Sequence, residues 1–102
     1  MQIKIVEQHS WEWYILKNMK FTNHFIIMLA ERQIQREWVD KAIQCPDQVE
    51  DREDGTRHYL KKIENQDGRW IRVIANVTTE PNRAITVFFD RRIRKIKNEN
   101  QS

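Results

Sequence analysis

The chain has 102 residues, 39% hydrophobic, 10% aromatic and 32% charged, with two Gly and two Pro, which fits one folded core and excludes a disordered, collagen-like or two-module chain. Its 18 basic and 15 acidic residues give +3, and the excess is C-terminal: 6 basic face 7 acidic in residues 1–50, and 12 face 8 in residues 51–102. The lone Cys45 excludes an internal disulfide, the six-residue run Phe25-Ile-Ile-Met-Leu-Ala30 is too short for a membrane span, and Gly55 and Gly68 build no phosphate loop.

In chain order, residues 1–20 hold Ile3-Lys-Ile-Val6 and Trp11-Glu-Trp-Tyr-Ile-Leu16, aromatic and β-branched runs that read as strands or as an arm packed on the domain. They lack the apolar stretch of a secretory leader, so a cytoplasmic protein is expected. Thr22 is a good N-cap, and Phe25, Met28, Leu29 and Arg32 follow at helical spacing, which predicts a helix over about residues 23–32 with His24 in its first turn. Trp38, Val39, Ala42 and Ile43 predict a second helix with Glu37 and Asp40 towards its N-terminal end. Cys45-Pro46 ends it, because a residue before proline is driven out of the α region.

From Val49 the hydrophobic period becomes two. A short strand near Val49 is expected, then strands over 56–64, 69–77 and 84–90, joined by loops at Asn65-Gln-Asp-Gly68 and Glu80-Pro-Asn82. Ile71, Val73, Ala75 and Val77 make one apolar row, and Ile85, Val87 and Phe89 match it on the next strand, so these rows are expected beneath the helices. A four-residue loop pairing Glu64 with Arg69 is expected to set Lys61 against Arg72, Tyr59 against Ile74 and Arg57 against Asn76. The opposite sheet face would then display Arg57, Tyr59, Lys61, Arg72, Asn76 and Thr86, with Phe88 and Asp90 continuing it. A one-residue slip would put His58 there in place of Tyr59.

Cations interleaved with aromatics suit single-stranded RNA, whose phosphates pair with Lys and Arg and whose bases stack on rings. The tail Arg91-Arg-Ile-Arg-Lys-Ile-Lys97 adds five cations in seven residues, Arg91, Arg92, Arg94 and Lys95 among them; the plain alternative is a solvated basic end. Cleaving RNA through its own 2′-hydroxyl needs groups that move protons and hold the developing charge. Arg can only hold charge. His24 is a candidate acid or base, because the positive end of a helix dipole favours a neutral imidazole, and its alternative is a capping or surface role. Tyr59 is a proton donor, a stacking platform or a half-buried sheet aromatic. Arg72 either holds phosphate or pairs with Asp90 across the strands, and Arg32 either contacts RNA, caps carbonyls or anchors a loop. His58 is expected on the core side. His9, His24, Cys45 and His58 show no paired ligand spacing, so no metal or cofactor is expected, and Cys45 reads as a small buried hydrophobe.

Phe21-Thr-Asn-His24, Leu29-Ala-Glu-Arg32, Trp38-Val39, Ile43-Gln-Cys-Pro46-Asp-Gln-Val49, Asp54-Gly55-Thr-Arg57, Trp70-Ile-Arg-Val73 and Ala84-Ile-Thr-Val-Phe-Phe-Asp-Arg-Arg92 together resemble a toxin-like domain-of-unknown-function family grouped with RelE and BrnT toxins in the barnase and RelE ribonuclease superfamily. The resemblance covers about residues 21–92, leaving an N-terminal addition over 1–20 and a basic tail over 93–102. It implies an α+β fold, with two N-terminal helices on one face of a curved antiparallel sheet of three to five strands and a substrate groove on the other. It also implies a metal-independent endoribonuclease of a type II toxin-antitoxin pair, with RNA and a small antitoxin as partners. Position by position, the family's site falls on His24, Arg32, Arg57, Arg72, Thr86 and Arg91, while the RelE catalytic tail has no clear match. With the residue reading, catalysis is expected from His24, Arg57, Tyr59 and Arg72, and RNA binding from Arg32, Lys61, Thr86, Arg91, Arg92, Arg94 and Lys95. A non-catalytic module binding nucleic acid or protein is the second expectation, and a homodimer through Trp11 and Trp13 the third.

Overall fold

The computed structural model describes residues 19–93. Strand β1 (Lys20–Phe21) leads into helix α1 (Asn23–Glu31), followed by α2 (Arg36–Gln44), β2 (Gln48–Asp51), β3 (Thr56–Ile63), β4 (Arg69–Asn76) and β5 (Arg83–Phe89). The fold is α+β, with both helices preceding most of a five-stranded sheet of order β1-β5-β4-β3-β2. One pairing departs from an all-antiparallel sheet: β1 runs parallel to β5, placing Lys20 beside Arg83 and Phe21 beside Ala84.

Local chemistry sets the helix ends. The Thr22 hydroxyl accepts from the Phe25 N–H at 3.1 Å, as an N-cap should, and it also donates to the Ala84 carbonyl at 3.1 Å. One side chain thus starts α1 and ties it to β5. Helix α2 stops at Cys45, whose N–H bonds the Lys41 carbonyl at 2.8 Å, just before Pro46. Cys45 itself is exposed, against the expectation of a buried thiol, because it has left the apolar stripe of Trp38, Val39, Ala42 and Ile43.

That stripe and Phe25 and Met28 of α1 pack on one face of the sheet, against Tyr59, Ile63, Ile71, Val73, Ala75, Ala84 and Val87. Phe25, Val39, Ile71, Val73 and Val87 are fully buried, and each contributes roughly 1.5–3 kcal/mol. The apolar row of β4 lies where its period placed it. On β5 the ladder pairs Ile74 with Thr86 and then Ala75 with Ala84, so Ile85 is an extra residue in a β-bulge. Ala84, rather than the expected Ile85, therefore completes the row with Val87 and Phe89.

The larger correction concerns β3. The connection to β4 is five residues long, not four: Glu64–Gln66 form a 3-10 turn, and Asp67 and Gly68 follow at φ 57° and 70°. Ile63 therefore pairs with Arg69, Lys61 with Ile71, Tyr59 with Val73 and Arg57 with Ala75. One added loop residue turns the whole strand over.

Candidate functional site

The turned strand divides the expected cationic face in two. Arg57, Tyr59 and Lys61 lie on the helix side. Tyr59 is 6% exposed within the core, and Lys61 donates to the Cys45 carbonyl at the end of α2 at 2.9 Å. Arg57 is paired with Asp51 at 2.6 Å; its pKa is raised, first by that bond and then by one to Tyr59. His24 is exposed in the first turn of α1, also on the helix side. Arg32 follows α1 and donates to the Val87 carbonyl at 2.8 Å, with its guanidinium 6.0 Å from the Phe88 ring centroid. Because β1 pairs only with Arg83 and Ala84, this bond covers the stretch of β5 edge that no strand covers. Arg94, Lys95, Trp11 and Trp13 lie outside the described residues.

Arg72 and Thr86 remain on the face opposite α1 and α2, and His58 joins them, contrary to its expected core position. The β2–β3 ladder sets Glu50 directly opposite His58, and Arg72 lies diagonally across the next pair of strands. Asp90, just past β5, lies diagonal to Arg72, whose direct partner is Phe88. The four groups bond in a row across the sheet. Arg72 Nε donates to Asp90 Oδ2 at 2.7 Å, and its Nη1 lies 3.1 Å from Glu50 Oε1 and 2.8 Å from His58 Nδ1. Arg52 extends the row at one end, bonding Glu50 Oε1 at 2.6 Å, and Arg92 at the other, 3.3 Å from Asp90 Oδ1.

The middle of this row is dry and its ends are wet. The side chains of Arg72 and Asp90 are 6% and 2% exposed, against 27% for Glu50, 49% for Arg52 and 78% for Arg92. A buried ion pair survives only when its remaining hydrogen-bonding capacity is met; among the described residues no buried side-chain nitrogen or oxygen lacks a partner. Three guanidiniums against two carboxylates leave one positive charge over.

The electrostatics separate the titratable members. The Glu50 carboxyl is held below its ordinary pKa by the hydrogen bond from Arg52, with Arg72 adding to it and partial burial opposing. Burial pushes the Asp90 carboxyl up, but the bonds from Arg72 and Arg92 outweigh it and the net shift is downward. His58 is shifted down by burial first, then by the charges of Arg52 and Arg72, so neutral imidazole is favoured. A guanidinium only donates, so His58 Nδ1 accepts from Arg72 and the ring proton sits on Nε2. The site thus holds an ionised carboxylate, a neutral imidazole and guanidiniums on one face.

Sequence reasoning identified Arg72, with its tie to Asp90 as the alternative to a phosphate contact, and it missed Glu50, Arg52 and His58. The missed signal was the pattern Glu50-x-Arg52…His58, in which Glu50 on β2 faces His58 on β3 and Arg52 follows β2 into the tight hairpin. Among the described residues no group of three or more His, Cys, Asp or Glu is placed to hold a metal ion, and no helix is long and apolar enough to cross a membrane. A family model described as Domain of unknown function (DUF4258) matches residues 21–89. No curated protein and no solved structure matches the chain.

Proposed function

The chain belongs to the DUF4258 family, and from the site above we propose that it is a metal-independent endoribonuclease, the toxin of a toxin-antitoxin pair related to RelE and BrnT. The observation that carries the proposal is the convergence of Glu50, His58 and Arg72, with Arg52 beside them, on the face of the sheet opposite α1 and α2. Cleavage by the 2′-hydroxyl needs a base, an acid and positive charge at phosphorus, and this set contains all three.

In the proposed reaction Arg52 and Arg72 hold the non-bridging phosphate oxygens. Glu50, ionised and part-exposed, takes the proton from the 2′-hydroxyl as that oxygen attacks phosphorus. The bound phosphate offsets the two guanidinium charges that, after burial, favour neutral His58. His58 then takes up a proton from solvent at Nδ1, which releases Arg72, and gives its Nε2 proton to the departing 5′-oxygen, while Glu50 returns the 2′-hydroxyl proton to solvent. One P–O bond forms and one breaks, leaving a 2′,3′-cyclic phosphate and a 5′-hydroxyl. RNA is the substrate in this reading, a small antitoxin the partner and the cytoplasm the compartment; Thr86 and Arg92 flank the site as backbone contacts.

The test is incubation of purified protein with RNA in EDTA, reading the product ends. Glu50→Gln keeps shape and most hydrogen bonding, and it is expected to slow cleavage by about 10²–10⁴-fold. Arg72→Ala is the poorer probe, because it strands Asp90 without its buried partner. Wild-type cleavage by Glu50→Gln would sink the assigned base. A second reading, a non-catalytic binding module, draws on the pairing of Arg72 by two carboxylates, which makes the row a strut across the sheet; RNA binding without new 5′-hydroxyl ends would favour it.

A further inference from the structure

Next to the charge row, where β4 begins and β5 ends, lies a pocket of about 440 Å³ lined by Arg69, Trp70, Phe89, Asp90 and Arg91. It opens there because the β4–β5 ladder ends at the pair Ile71 and Phe89, with one more backbone bond, Asp90 N–H to the Trp70 carbonyl at 2.8 Å. We propose that this pocket binds one nucleotide unit of the RNA strand, its base on the outer face of the Arg69 guanidinium that covers Phe89 and its phosphate on Arg91. The inference rests on the ribonuclease reading and adds to it a subsite beside the proposed cleavage point.

Three observations carry it. The lining combines the Phe89 ring and the Arg69 guanidinium that covers it with the exposed Arg91, a pairing that suits a planar anionic ligand. The Arg69 guanidinium already stacks on Phe89, 3.7 Å from the ring centroid, so one layer of the stack that a base would extend is in place. Asp90 both lines the pocket and bonds Arg72 at 2.7 Å, so the pocket begins one side chain away from the charge row. Both Asp90 oxygens are occupied by Arg72 and Arg92. Asp90 therefore acts as a positioning residue that joins the two sites, and base contact falls to Arg69 where it covers Phe89. The volume lies at the small end of the range for ligand pockets, roughly 300–1,000 Å³, which suits one nucleotide rather than a longer segment.

The experiment is a titration of the ¹⁵N-labelled full chain with adenosine and uridine 5′-monophosphates, followed by NMR, with adenosine alone and inorganic phosphate as separate arms. The Arg69 and Arg91 side-chain N–H signals are expected to move with the nucleotides, with affinity about tenfold better than for either part alone. Arg91→Ala, at an exposed position, and Arg69→Ala are each expected to weaken nucleotide binding several-fold. Absence of these shifts at millimolar nucleotide overturns the proposal, and so do equal shifts with phosphate alone, which mark an anion site without a base subsite. Running the cleavage assay on the same sample separates the two ideas. Cleavage without the shifts removes the pocket and leaves the ribonuclease; shifts with adenosine and phosphate additive, but without cleavage, keep the pocket and remove the ribonuclease.

Discussion

Arg57 and Arg72 sit one strand apart in the same sheet, and each bonds an aspartate at hydrogen-bonding distance, yet the two pairs are different physical objects. Arg57 meets Asp51 at 2.6 Å at the rim of the helix-covered face, where the two side chains are 38% and 65% exposed. Arg72 meets Asp90 at 2.7 Å on the other face, at 6% and 2%. Solvent screens the first pair and supplies substitutes for either partner. The second pair has no substitute, so each member depends on the other and on Glu50 and His58. Distance alone says nothing about which ion pair matters; burial decides.

The comparison is broken most sharply by removing one carboxylate from each face. Asp90→Ala leaves Arg72 charged and buried, and it is expected to lower the unfolding free energy by about 3–5 kcal/mol in urea titrations. Equal midpoints for Asp90→Ala and Asp51→Ala would show that the burial difference has no energetic weight. Tyr59→Phe comes next: losing a hydroxyl at the rim of the core costs about 1 kcal/mol, while RNA cleavage proceeds at the wild-type rate because the ring lies on the helix side. A loss of cleavage in a folded Tyr59→Phe protein would return Tyr59 to the site. The smallest effect is expected from Arg57→Ala, about 0–1 kcal/mol, with no change in cleavage.

Acidity sharpens the same contrast. His58 is harder to protonate in the folded chain than in the unfolded one, so below its ordinary pKa of about 6.5 the unfolded state binds more protons. Stability therefore falls as pH drops from about 7 towards 5, and His58→Asn is expected to flatten that slope in denaturation curves. Glu50 and Asp90 are shifted down, so the stability they contribute is present above the ordinary carboxylate range and is lost as pH falls through their lowered values. A His58→Asn protein with the wild-type slope would mean that another group titrates there.

The helices were legible because their signals are local. Thr22 caps α1, Pro46 ends α2, and the apolar stripe of α2 has one repeat and one solution. The β4 row of Ile71, Val73 and Ala75 was equally plain. The β3 sequence Thr-Arg-His-Tyr-Leu-Lys-Lys-Ile divides into Arg57, Tyr59, Lys61, Ile63 and Thr56, His58, Leu60, Lys62, two rows with similar apolar and polar content. Neither row declares itself the core face. Both faces in fact bury an apolar residue of this strand, Tyr59 and Ile63 on the helix side and Leu60 on the other. The hairpin loop broke the tie, and its length depended on whether Glu64 continued the strand or entered the 3-10 turn.

What the amino-acid sequence determined by itself was the α+β order of elements, the helix limits and the strand content, all set by capping, proline and hydrophobic period over a few residues, while the Arg72–Asp90 pair stood as one of two expectations for Arg72. What only the tertiary structure decided was which residues share a face. The register of β3, the bulge at Ile85 and the burial of Arg72 come from groups distant in the chain meeting across strands. A shift of one residue there replaces Arg57, Tyr59 and Lys61 with His58, and the antiparallel β2 ladder brings Glu50 to it, with Arg52 just past the strand.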